Sequence, residues 1–189
     1  MPLTNAHEVF LHDLGDIYDA EYRFLEGQQE MVQQAMDQKL QTAIQEHIEQ
    51  TQQQIQNLEQ VFRELREEPR REMCDASMGL VREAQKDIQE AENEASCDAV
   101  INTAVVKVEH YEIASYRNLI TAAELMGHTE AVNLLNENLR QEEQTAQIAE
   151  QSASELLQRA QGQEEGLVDK AKDKLTGEQV GRKRRAWPK

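Results

Sequence analysis

Between Pro2 and Pro188 this chain contains a single proline, Pro69, and only four glycines, at 15, 27, 79 and 127, precede Gly162. Ala, Gln, Glu and Leu dominate the stretches between these breakers. Such residues lose little rotamer freedom in a helix, so the pattern predicts an all-helical body. Four long runs then repeat apolar side chains every three or four residues.

The first, about 5–35, opens on Asn5 as a cap with Glu8 three residues on, and continues through Phe10, Leu14, Ile17, Glu21 and Leu25. The second follows a cap at Asp37, places Leu40, Ile44, His47, Thr51, Ile55, Leu58 and Phe62 on one face, and stops before Glu68-Pro69. A shorter helix, about 75–93, presents Ser77, Leu80 or Val81, Ala84, Ile88 and Ala91. The third long run, from about Asp98 to Met126, carries Ile101, Val105, Val108, Glu112, Ser115 and Leu119 and ends at Gly127. Thr129 caps the fourth, about 130–161, with Ala131, Leu135, Asn138, Glu142, Ala146, Ala149, Ala153 and Leu156.

Four helices of about 30 residues, each about 45 Å long, predict a four-helix bundle. Short links join the first pair and the last pair, while about 28 residues with a helix inside separate the second run from the third. One long helical crossover between two hairpins is the topology of ferritin-like folds. The expected domain is 1–161, and the glycine-punctuated charged stretch 162–189 is expected to be a flexible tail.

Each long run has an ionisable residue in its apolar stripe, near mid-length: Glu21, His47, Glu109 with Glu112, and Glu142 with its neighbour Glu143. A buried unpaired carboxylate costs several kcal/mol, on the order of a domain's whole margin of stability, so four helices carrying such groups at similar depth imply a shared cation. Glu109-x-x-Glu112 sets two carboxylates one turn apart on one face. Carboxylates with one imidazole suit iron or manganese, and two such ions are the expected cofactor. The usual Glu-x-x-His elements of di-metal bundles are missing, since Ile44 precedes His47 by three and Ala146 follows Glu143 by three. His110 lies off the Glu112 face, as an outer or surface group. Tyr18, Tyr22, Tyr111 and Tyr116 flank the cluster, where they either donate to its carboxylates or pack at helix interfaces. Met73 and Met78 read as core filling, and Cys74 and Cys97 as reduced, buried thiols, too few and too far apart for a zinc ribbon or a disulfide framework.

The strings Asp13-Leu14-x-x-Ile17-Tyr18-x-Ala20-Glu21, His47-Ile48-Glu49-Gln50-Thr51, Lys107-Val108-Glu109-His110-Tyr111-Glu112-Ile113-Ala114, Glu142-Glu143 and Cys74-x-x-x-Met78-Gly79-Leu80 resemble the bacterial YciF/YciE ferritin-like family. The resemblance covers about 6–160 and implies a five-helix ferritin-like domain, homodimeric, with a di-metal centre and a link to stress responses. It carries metal binding to Glu21, His47, Glu109, Glu112 and Glu142. No catalytic residue follows from it.

A formal net charge of −16 hides an uneven distribution. From Gly166 to Lys189 eight basic side chains face three acidic ones, so residues 1–165 carry −21. That body repels phosphate, which excludes nucleic acid and anionic membranes as its partners, and Arg182-Lys183-Arg184-Arg185 alone is a weak basic footprint. No apolar run or leader-like start is seen, so a cytoplasmic location is expected. The favoured reading is a di-iron or di-manganese oxidoreductase of peroxidase, catalase or ferroxidase type, with a small oxidant or metal ion as substrate. Its rival is a non-catalytic dimeric helical stress protein with a structural polar core.

Overall fold

A computed structural model describes residues 3–181, with side chains through residue 162. It contains α1 (Ala6–Gln34), α2 (Gln38–Glu64), α3 (Asp75–Glu90), α4 (Glu94–Met126) and α5 (Thr129–Gly181) and, among the described residues, no strand. Four helices pack in a ring, α1 on α2, α2 on α5, α5 on α4 and α4 on α1, while α3 lies against α1 and α4. The crossover helix thus covers the seam between the first and third long helices.

Local chemistry sets the helix starts. Asn5 accepts from the Glu8 amide at 3.0 Å, and the Glu8 carboxylate takes the Thr4 amide at 2.7 Å in return. Asp37 accepts from the amides of Lys39 and Leu40. At α4 the start differs from the sequence expectation. Asn93 and Ser96 form a reciprocal capping box, and the helix begins at Glu94. Asp98 lies inside the helix, where its carboxylate accepts from the amides of Met36 at 2.7 Å and Asp37 at 3.0 Å. The α1–α2 turn is thereby tied to α4 through a long-range contact that periodicity does not encode.

Two helices end in the same left-handed turn with different residues. After α4, Gly127 has φ 78°, and the His128 amide reaches back to the Ala123 carbonyl at 2.9 Å. After α2, Arg66 adopts φ 59°, and the Glu67 amide reaches back to the Phe62 carbonyl at 2.9 Å. A Cβ in this region meets the carbonyl that follows, so glycine is free there and arginine is strained.

The crossover is anchored at one buried carboxylate. Asp19 of α1 accepts from Arg23 Nε at 2.6 Å, Arg71 Nε at 2.8 Å and the Cys74 amide at 3.0 Å. Burial opposes its ionisation, yet those bonds win and hold its pKa below the usual carboxylate value. Beside it, the Glu72 amide donates to the Gly15 carbonyl at 3.0 Å, and a Cβ on Gly15 would stand 3.2 Å from the Arg70 carbonyl oxygen. Only a residue without a side chain admits the loop this close.

Several side chains depart from expectation. Phe24 is buried where Leu25 was expected, and Tyr116 fills the core where Ser115 was expected. Both are shifts of one position around the helix. Met73 is 69% exposed in the crossover rather than core filling. Cys74 is buried and caps α3, whereas Cys97 is half-exposed. The helical backbone of α5 continues past 161 to Gly181. Side chains of the expected tail beyond residue 162, and residues 182–189 with the Arg182–Arg185 cluster, lie outside the described residues.

Replacing Arg66 by Gly removes the left-handed strain and is expected to stabilise the protein by about 1 kcal/mol, while Gly127→Arg should cost a similar amount. Urea unfolding followed by circular dichroism checks both, and an unchanged midpoint for Arg66→Gly contradicts the strain argument.

Candidate metal centre

The core is divided. One apolar cluster gathers Phe10, Leu14, Ile17, Phe24, Phe62, Leu119 and Leu135, and a second gathers Met31, Leu40, Ile44, Ile101, Ala104 and Leu156. Between them stand Glu21 from α1, His47 from α2, Glu109 and Glu112 from α4 and Glu142 from α5, all at most 3% exposed. Each occupies an inward position of its helix because the flanking apolar residues at three and four steps fix that face.

Ligand atoms of His47, Glu109, Glu112 and Glu142 all lie within 4.8 Å of one another. His47 Nε2 stands 3.1 Å from Glu109 Oε1 and 3.7 Å from Glu142 Oε2. Glu21 borders this group; Tyr116 donates its hydroxyl to Glu21 Oε1. Glu143 instead points outward and pairs with Arg117 at 2.7 Å, and His110 is exposed and pairs with Glu150 at 2.8 Å. The choice between Glu142 and Glu143 is therefore one of direction: only Glu142 faces inward.

Several atoms of the cluster have no hydrogen-bond partner: Glu21 Oε2, Glu109 Oε2, Glu112 Oε2, both Glu142 oxygens and His47 Nε2. Such atoms cost about 1–3 kcal/mol each when buried without compensation. The imidazole orientation sharpens the conflict. His47 Nδ1 faces Gln50 Oε1 at 3.2 Å. With the proton on Nδ1, the lone pair of Nε2 is aimed at the carboxyl oxygens, an arrangement suited to a cation or to a protonated carboxyl. Thr145, whose hydroxyl donates to the Gln141 carbonyl at 3.1 Å, packs on the same ring nitrogen at 3.2 Å.

Burial drives the carboxyl pKa values up, and neighbouring charge reinforces it. Glu21 is raised well above the usual value by burial and by Glu142; Glu112 by burial, Glu142, Glu21 and Glu109; and Glu142 by burial and Glu109. Glu109 is raised to about 8, chiefly by burial. Tyr116 is also pushed well above the ordinary phenol value, by burial and by Glu21, Glu142 and Glu112, so it remains a donor. Without a cation the group takes up protons; with one, the protons leave.

Of the polar shell around these residues, the sequence pattern marks Thr51, Asn138 and Tyr116 and passes over Gln28, Gln54 and Asn57. Asn57 donates to Asn138 at 2.8 Å, Asn138 donates to the Tyr116 hydroxyl at 3.0 Å, and Tyr116 donates to Glu21, so a buried chain runs from α2 through α5 and α4 to α1. Gln28 donates to Thr51 at 3.1 Å. Gln54 is fully buried with neither amide atom partnered. Its spacing of seven from His47 was the available signal, since two helical turns return to one face.

The family described as "Domain of unknown function (DUF892)" matches residues 5–162. The chain belongs to this family. It is 37% identical over 146 residues to Protein YciF of Escherichia coli K12, covering 77% of this chain and 88% of that one. The crystal structure of the E. coli stress protein YciF superposes with a TM-score of 0.79 at 34% identity, covering 82% of this chain and 99% of the other. YcfI from Rhodopseudomonas palustris gives a TM-score of 0.77 at 36% identity, covering 78% and 94%. The helical bundle of this DUF892 member is thus shared with solved relatives. Among its described residues no helix is long and apolar enough to cross a membrane.

The raised carboxyls give a pH signature to the metal-free protein. A carboxyl with a folded pKa near 8 and an unfolded value of 4.5 is protonated only in the folded state across that window. Stability is then full below about pH 4.5 from this group and falls as pH rises toward about 8, by about 1.4 kcal/mol per pH unit per carboxyl. Melting of chelator-treated protein is expected to drop between about pH 6 and about pH 8, and loading with manganese should flatten the profile. A metal-free profile that rises over this range contradicts the assignment.

Proposed function

We propose that this protein is a non-haem di-metal carboxylate protein that binds iron or manganese and handles peroxide, oxygen or ferrous iron during stress, acting as a cytoplasmic homodimer. The observation that carries the reading is the set of partnerless carboxylate oxygens converging with the lone pair of His47 Nε2 in the middle of the bundle. His47, Glu109, Glu112 and Glu142 are close enough to share one ion, and Glu21 with the remaining oxygens supplies ligands for a second. When bound, iron or manganese supplies one-electron redox chemistry toward oxygen-derived substrates.

The chain's own residues do the rest. Gln50 fixes the His47 tautomer, and Tyr116 fixes one oxygen of Glu21 while leaving the other free. Apolar clusters on either side lower the local dielectric around the layer, which strengthens carboxylate–cation attraction. The naming of the E. coli relative as a stress protein supports the physiological setting.

Protein purified from its native host is expected to hold about two transition-metal ions per chain by elemental analysis. Fewer than about 0.3 ions per chain after anaerobic reconstitution with ferrous iron or manganese would favour a purely structural polar core instead. Glu109→Gln and Glu112→Gln should each abolish loading with little change in helical circular dichroism, since the amide keeps the shape and removes the buried charge. His110→Gln should leave loading intact. Loss of metal in His110→Gln together with its retention in Glu112→Gln would overturn the ligand set.

A further inference from the structure

A cavity of about 690 Å³ opens beside the centre, within the size range of small-molecule sites. All five helices contribute to its wall. Its sides are apolar, with Met31 of α1, Ile44 of α2, Val81 and Ala84 of α3, Val105 of α4 and Ile148 of α5 among them. Polar side chains that reach solvent, such as Glu30, Lys39 and Gln85, form the rim. At the inner end stand His47 and Glu109, the two members of the cluster that line the chamber.

A chamber of this size does not stay vacant for free. It opens to solvent at the rim, so when unoccupied it holds water against apolar walls, which forfeits the hydrophobic gain of burying them. A second folded chain is a poor occupant, because the inner end lies between five helices at residues no more than 3% exposed. Only a slender molecule reaches it.

The inner end also states which head group it accepts. Asn102, 2% exposed, spends its amide NH2 on the Ala149 carbonyl at 3.0 Å, and its Oδ1 has no partner. That oxygen calls for a donor. An anionic head would meet carboxylates in a body of formal charge −21, and it has no cationic side chain of the chamber floor to meet. An ammonium head would compete with the cations of the centre. A hydroxyl, with its single donor hydrogen, satisfies Asn102 Oδ1 without charge.

We infer that this chamber binds an uncharged, largely apolar alcohol, chain toward the rim and hydroxyl donated to Asn102 Oδ1, beside His47 and Glu109. The inference deepens the metal-centre reading by naming the substrate class that reaches the centre, and the head-group argument against amines rests on that reading.

The test uses the full chain before and after manganese loading, with N-phenyl-1-naphthylamine as fluorescent probe and 1-octanol, octanoate and octylamine as competitors. The expected result is saturable probe binding at one site per chain, with octanol displacing it at least about tenfold more effectively than either ionic competitor. Ala84→Phe and Ala104→Phe, which fill the wall from α3 and α4, should each weaken octanol binding by at least about tenfold while ion content and helical circular dichroism stay unchanged. Absence of saturable binding by the unsubstituted chain, octanoate or octylamine binding as tightly as octanol, or full octanol binding in both folded variants would overturn the inference. Failure of manganese to load with octanol binding retained sinks the centre alone, and loading without octanol binding sinks the chamber alone.

Discussion

The structure depends on one constraint: three carboxyl groups and an imidazole are held out of water within a few ångströms of one another, with a fourth carboxyl, Glu21, beside them. His47 offsets only part of the repulsion among these carboxyls. Apolar packing above and below supplies the force that keeps them together, and ions or protons must supply the neutralising charge. Function and instability therefore sit in the same layer. The polar shell from Asn57 to Glu21 spreads the cost over four helices, each of which satisfies part of a neighbour's hydrogen-bonding need.

The crossover serves the same layer from outside. Asp19 is two residues from Glu21 and holds Arg71 and the Cys74 amide, so the path into α3 is pinned to the segment of α1 that carries the cluster. Arg71 also lies over the Tyr22 ring at 4.7 Å. Tyr111, one residue before Glu112, donates to Asp16 at 2.8 Å and touches Cys74 Sγ at 3.0 Å. Register between α1, α3 and α4 is thus set by directed bonds at the depth of the buried polar cluster, and Asp98 adds such bonds where the α1–α2 turn meets α4.

Much of this was legible in the sequence. Scarce breakers and a 3.6-residue period gave the helices and the two hairpins, and the ionisable interruptions at Glu21, His47, Glu109, Glu112 and Glu142 marked the layer where all five are now seen to stand. What stayed hidden has physical reasons. A wide apolar stripe cannot distinguish adjacent positions, so the period puts Ser115 on the stripe and Tyr116 beside it. An uncharged polar residue such as Gln54 or Asn57 looks ordinary in a helix until its burial is known. The third long run reads as starting at about Asp98, four residues late, because the role of Asp98 as a long-range acceptor depends on amides that only the fold brings to it.

The division of the apolar core into two clusters carries a consequence for the history of such chains. Half-buried Leu25 packs against both clusters, but Phe10 and Leu135 belong to one and Met31 and Leu156 to the other, so substitutions at the first pair and at the second act nearly independently. Each half can be repacked by small compensating steps without disturbing its counterpart. The polar layer acts as a firebreak, so a change of packing in one half leaves both the layer and the far half in place.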